Sequence, residues 1–140
     1  MTGFANSGPM QILDTFPVLT PDMKVEALPF TGGMEFYEGL EQHFGTFERH
    51  VLVSCHEFNS AWDTWECHPR GDEVVILLSG SATMVLALDG EHRVTQLMTP
   101  GEFVIVPRGT WHTASAAENA RMLFITPGEG TENLEEPPGS

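Results

Sequence analysis

The chain has 140 residues, 41% of them apolar, with six Lys and Arg against twenty Asp and Glu for a formal charge of −14. That length suits one domain with a core of its own. The charge repels phosphate backbones and anionic lipid headgroups, so neither nucleic acid nor a membrane is an expected partner.

Residues 1 to about 30 lack a clear period and are punctuated by Pro9, Pro17, Pro21 and Pro29, which cannot donate to a ladder or continue a helix. Short extended pieces are expected around Gln11–Leu13 and Met23–Leu28. With Lys24 as the one basic residue of this stretch and no continuous apolar block, no secretory signal is expected. Phe36, Leu40 and Phe44 recur every four residues, with Tyr37 three before Leu40, which predicts a short amphipathic helix over Met34–Phe44, weakened by Gly39.

From Arg49 the pattern turns to strands. The expected runs are His50–Phe58, Trp62–His68, Val74–Leu78, Ala82–Leu88, His92–Leu97, Phe103–Val106, Trp111–Ser115 and Met122–Thr126. Ser79-Gly80 breaks the Val74–Leu78 run, Asp89-Gly90 is a two-residue hairpin signal, and Pro100-Gly101 turns the chain. The longest apolar runs, Val74 to Leu78 and Met84 to Leu88, are far too short to span a bilayer. Short strands at this spacing predict an all-β sandwich or barrel. Residues 127–140, rich in Glu, Pro and Gly, predict a mobile acidic tail. Cys55 and Cys67 are too few for a disulfide framework and are expected as buried thiols in a reducing, cytoplasmic compartment.

The residues that carry chemistry flank two tight turns, Pro69-Arg70-Gly71 and Pro107-Arg108-Gly109. Glu66 and His68 are two apart on an expected strand and so share a face. Glu73 opens the strand after the first turn, and His112 follows the second. Imidazole and carboxylate groups converging at about 2 Å on one point are what a divalent metal requires. Cys67, between Glu66 and His68, points to the opposite face. Arg70 and Arg108 can meet an anionic ligand or simply be solvated turn residues. Trp62, Trp65 and Trp111 can line a pocket or pack the barrel. His56 reaches the site only if its face of the strand is interior.

These motifs resemble those of the cupin superfamily. Glu66-x-His68-x4-Glu73-x6-Gly80 is similar to the first cupin motif, His-x-His-x3–4-Glu-x6-Gly. Gly101-x5-Pro107-x-Gly109-x2-His112 matches the second through its His. The stretch Trp65 to Glu73 resembles small single-domain bacterial cupins carrying Trp-Glu-x-His-Pro-x-Gly-Asp-Glu. Three positions depart: Glu66 replaces the first motif His, Ala116 replaces the closing Asn of the second motif, and Ser60 stands where a Gly usually opens the first.

The resemblance implies a double-stranded β-helix, or jelly-roll, barrel over residues 48–126. Residues 1–47 would be an N-terminal extension, with its short helix, packed on the barrel. It implies a metal held by Glu66, His68, Glu73 and His112. Two His and two carboxylates leave a dipositive ion formally neutral, which suits Fe, Mn, Ni or Zn better than Cu(I). If Glu66 swings away, the remaining three form a two-His-one-carboxylate set with open positions for O2 and substrate. Alternatively, Glu66 stays unbound as a general base or acid. The expected activity is that of a metal-dependent small-molecule enzyme, an oxygenase first, with isomerase or lyase chemistry next. A non-catalytic metabolite-binding barrel and a purely structural dimerisation domain are the alternatives. A homodimer is expected, as cupins commonly pair through a sheet.

Overall fold

The computed structural model describes residues 8–138, so the ends of the expected extension and tail, residues 1–7 and 139–140, lie outside the described residues. Eleven strands and one helix follow in chain order. They are β1 (Thr15–Leu19), β2 (Val25–Pro29), α1 (Gly33–Phe44), β3 (Val51–Phe58), β4 (Trp65–Cys67), β5 (Glu73–Gly80), β6 (Ala82–Leu88), β7 (Glu91–Leu97), β8 (Phe103–Val106), β9 (His112–Ser115), β10 (Ala120–Thr126) and β11 (Glu132–Leu134). All pairings are antiparallel, in two sheets ordered β2-β1-β3-β10-β5-β8 and β11-β4-β9-β6-β7. Two such sheets face to face form a jelly-roll barrel.

Local chemistry accounts for the connections. Asp89 and Gly90 both take positive φ, 53° and 78°, as a two-residue hairpin between β6 and β7 demands. Gly80 sits at φ 79° with the Asn119 carbonyl so close that a Cβ would lie 1.9 Å from its oxygen, so only glycine fits there. The apolar run of β5 buries Val75 and Leu77 fully between the sheets, where they pack with Val106 and Met122 of their own sheet and Met84 and Leu97 of the opposing one. A second cluster joins α1 to the first sheet. Phe36 and Leu40, one helical turn apart, pack with Phe16, Val18, Phe47 and Leu52.

The structure departs from the sequence reading in four places. Gln11–Leu13 is not extended: the Gln11 carbonyl accepts the N–H groups of Asp14 and Thr15 in a turn, and the first strand starts at Thr15. That strand joins the main sheet by pairing with both β2 and β3, so part of the expected extension is built into the sheet. The expected strand Trp62–His68 shortens to β4, because Trp62 instead donates its N–H to the Ala114 carbonyl. The segment expected as a mobile tail supplies β11, in register with β4 through Glu132↔Cys67, Asn133↔Glu66 and Leu134↔Trp65. Its backbone groups are paired with β4, which its composition does not reveal.

Candidate metal centre

The two Pro-Arg-Gly turns lock onto each other and bring the site together. The Gly109 N–H donates to the His68 carbonyl at 3.0 Å. The Asp72 carboxylate accepts the Arg108 N–H at 2.9 Å and pairs with its guanidinium at 3.5 Å. Gly109 needs its glycine for φ 76°. Gly71 needs its own because a Cβ would meet the Pro127 ring at 2.6 Å. This clasp places His68, just past β4, and Glu73, first in β5, beside His112, first in β9. Glu66 faces His112 directly across the β4–β9 ladder.

The structure therefore brings all four sequence-predicted residues together. His112 Nε2 lies 3.1 Å from Glu73 Oε1, and His68 Nε2 lies 3.4 Å from Glu73 Oε2 and 3.7 Å from Glu66 Oε1. Glu66, His68 and His112 each offer a ligand atom within 4.8 Å of the others. His68, Glu73 and His112 are 5%, 2% and 1% exposed, whereas the Glu66 side chain is 34% exposed.

The hydrogen bonds set which ring nitrogen is free. The Thr131 hydroxyl donates to the Gly128 carbonyl, so it accepts from His68 Nδ1–H at 2.9 Å. The Thr110 carbonyl can only accept, so His112 Nδ1 carries the hydrogen at 3.1 Å. Both imidazoles are thus held with Nδ1 as donor and the Nε2 lone pair aimed inward. Thr126 donates to Glu73 Oε2 at 2.6 Å and leaves Oε1 free. The result is three buried atoms without a hydrogen-bond partner, His68 Nε2, His112 Nε2 and Glu73 Oε1. Buried polar atoms left unpaired are costly, and here they converge. Imidazoles fixed through Nδ1–H and a carboxylate fixed by a hydroxyl form the arrangement that orients metal ligands. The donor set suits a divalent ion.

The electrostatics follow from the burial. Burial raises the Glu66 carboxyl and outweighs the opposing pull of His68 and His112, while the Glu73 charge adds to the rise. Burial would also raise Glu73, but its contacts with His112 and His68 hold it down at about 2. Burial would lower His112, yet the adjoining Glu73 and the Thr110 carbonyl leave it raised.

A cavity of about 1040 Å³ opens against this cluster, lined by Glu66 and His68 and by residues of α1, β3 and the segment before β11. The other sequence candidates now separate. Trp62 and His56 line the cavity, whereas Trp65 packs on His92 with ring centroids 5.1 Å apart and His50 stacks on Phe47. Arg70 lines the cavity and Arg108 is engaged with Asp72. Cys55 and Cys67 are free, buried thiols pushed up by burial, which fits packing and not nucleophilic chemistry. Sequence reasoning missed Thr110, Thr126 and Thr131 as supports of the ligands. It read Tyr37 only as part of a helical face, and its phenol, in the cavity wall, is pushed up to about 12 by burial and by the Glu66 charge.

Residues 59–126 match the family described as "Cupin domain". This chain carries a cupin domain. The match contains all four candidate ligands and strands β4 to β10 of the two sheets. Among solved structures, this cupin is similar to the oxalate decarboxylase of Bacillus subtilis, described with Mn(II) centers, at a TM-score of 0.50 and 22% identity. That likeness covers 60% of this chain and 23% of the decarboxylase, so less than a quarter of that protein is shared. It is also similar to a cupin-2 domain containing protein from Shewanella frigidimarina NCIMB 400, with a TM-score of 0.47 and 23% identity, covering 55% of this chain and 70% of that one. No curated protein matches the chain. No described helix of this cupin is long and apolar enough to cross a membrane.

Proposed function

We propose that this cupin is a metal-dependent enzyme acting on a small organic molecule, with oxygenase chemistry as its leading activity. The observation that carries the reading is the pair of imidazoles, each held through Nδ1–H so that both Nε2 lone pairs meet the unpartnered Glu73 oxygen. His68, Glu73 and His112 would hold the ion, a two-His-one-carboxylate set of the kind that leaves positions open. A bound divalent ion supplies Lewis acidity and, where redox-active, electrons for dioxygen chemistry.

The remaining residues supply binding and proton handling. Glu66 is the one carboxylate of the four that opens onto the cavity, so it serves as a fourth ligand or as the group that accepts and returns a proton. Its carboxyl, raised by burial, moves toward the range in which a general base works at neutral pH. Tyr37, pushed up to about 12, keeps its proton and can donate a hydrogen bond to a bound molecule. The same proton-handling carboxylate also supports isomerase or lyase chemistry as a second reading.

Elemental analysis of the native protein beside Glu66→Ala and His112→Ala tests the proposal. One equivalent of a transition metal is expected in the native protein and its loss in His112→Ala. Retention by Glu66→Ala removes Glu66 from the ligand set, and loss makes it a ligand. Absence of stoichiometric metal, even after anaerobic Fe(II) loading, overturns the reading. Oxygen uptake by loaded protein across a substrate screen then separates oxygenase from isomerase or lyase activity.

A further inference from the structure

The cavity beside the candidate centre carries a charge pattern that bears on what enters it. Its lining contains the carboxylates of Glu41 on α1, Asp63 between β3 and β4, Glu66 on β4, and Glu129 before β11, with Arg70 as its one Lys or Arg. Among the described residues Glu41, Asp63 and Glu129 form no ion pair. An ion held by two His and the Glu66 and Glu73 carboxylates is formally neutral. The rest of the lining then sets three carboxylates against one guanidinium. His56, also in the wall, is pushed down by burial, so it is neutral near pH 7 and adds no positive charge.

The apolar part of the wall is aromatic and continuous. Trp62 lies between Phe58 and Phe124, with ring centroids 5.8 Å from each, and His56 continues the row at 5.9 Å from Phe124. Tyr37 adds a further ring from α1. Aromatic faces carry negative potential and attract cations, and carboxylates at the rim of a low-dielectric cleft focus the same sign of field. His68 and Glu66 are in the same lining, so the cavity reaches the edge of the candidate metal centre.

We propose that the cavity takes a small organic cation, a primary amine or quaternary ammonium on an aromatic or apolar body, in preference to a carboxylate or phosphate. The cation sits among Asp63, Glu129 and the Trp62 face, and the apolar body extends toward Glu66 and His68. This rests on the reading above only in taking the cavity as the substrate's entrance.

Three probes of nearly equal size test it: phenethylamine, protonated at neutral pH, 3-phenylpropionate and phenethyl alcohol. Binding is measured by calorimetry and tryptophan emission on metal-loaded and on chelated protein. Phenethylamine is expected to bind about tenfold more tightly than 3-phenylpropionate in both forms, with the preference shrinking at high salt. Asp63→Asn combined with Glu129→Gln is expected to bring the amine close to the alcohol, and Trp62→Ala to weaken the amine while circular dichroism stays native. Tighter or equal binding of 3-phenylpropionate to the loaded protein, or no binding of any probe at millimolar concentration, overturns the proposal. Metal content, read on the same samples, separates the two claims. A metal-free protein with the cation preference defeats the enzyme reading alone, and a metal-loaded protein preferring the carboxylate defeats this inference alone.

Discussion

His112 Nε2 lies 3.1 Å from Glu73 Oε1, and both atoms are buried without a hydrogen-bond partner. The His112 imidazole is raised by this carboxylate, so in metal-free protein near and below pH 6.5 it is protonated and a metal ion must displace that proton. Calorimetric titration of chelated protein with Zn(II) or Mn(II), in buffers of different ionisation enthalpy, is expected to show proton release. Apparent affinity should climb as pH rises past 6.5. Affinity independent of pH between 6 and 8 would remove His112 from the ligand set.

The same pair predicts how the metal-free protein responds to pH. Glu73 is held at about 2 in the folded protein against 4.5 ordinarily, so it binds fewer protons folded than unfolded. Its contribution is present above pH 4.5 and is lost as pH falls toward 2. His112 is raised above 6.5, so its contribution is complete below pH 6.5 and is lost as pH rises through the folded value. Urea midpoints of chelated protein should therefore be highest between pH 4.5 and 6.5 as far as this pair decides them. Glu73→Gln should flatten that maximum.

Thr131 tests the outer support. Thr131→Val keeps the shape and removes the acceptor for His68 Nδ1–H. Loss of such a partner weakens metal affinity by about 10- to 100-fold. A competition titration against a chromophoric chelator reads this, with thermal melting of the apo form as a check on the fold. Unchanged affinity would mean that the cavity wall alone orients His68.

Two glycines differ in kind. Gly80→Ala adds a Cβ at positive φ against the backbone oxygen of Asn119, and is expected to cost about 3 kcal/mol or more. Gly90→Ala has a similar φ but nothing within 4 Å, and should cost only about 1–2 kcal/mol. Denaturant unfolding of both variants, compared at constant slope, gives the difference.

The outer face of the first sheet bears on the expected homodimer. Two apolar rows cross it, Leu123, Ile76 and Phe103 in one register and Val53, Ile125, Val74 and Ile105 in the next. Phe103 and Ile105 are more than half exposed. We expect a second copy of the chain to cover this face. Light scattering should give twice the chain mass, and Phe103→Glu with Ile105→Glu should halve it while circular dichroism stays native. A monomeric native protein would refute the pairing.

Much of the barrel was legible because its cues are local. Asp89-Gly90 specifies a hairpin by backbone conformation alone, and β8 spans Phe103–Val106 as read from its residues. The ligand cluster was legible because Glu66-x-His68 and the residues after two matching turns share a face by strand geometry. What stayed hidden depends on distant contacts. Thr131 resembles any hydroxyl in a polar tail until β11 pairs with β4, and Pro17 disguises β1 until Phe16 and Val18 meet α1. Tyr37 reads as one of several apolar helix positions until a cavity forms beside it.

The hydrogen bond from His68 to Thr131 spans 63 residues. All four candidate ligands and the two Pro-Arg-Gly turns precede Thr131 in the order of synthesis. Strands β3 to β10 hold every candidate ligand or adjoin it, so they can pair around His68 and His112 before β11 adds at the sheet edge to fix the His68 ring. Docking β11 then needs only the short segment after β10 to fold back onto β4. Ions captured before then would meet a looser site, with one imidazole still free to turn.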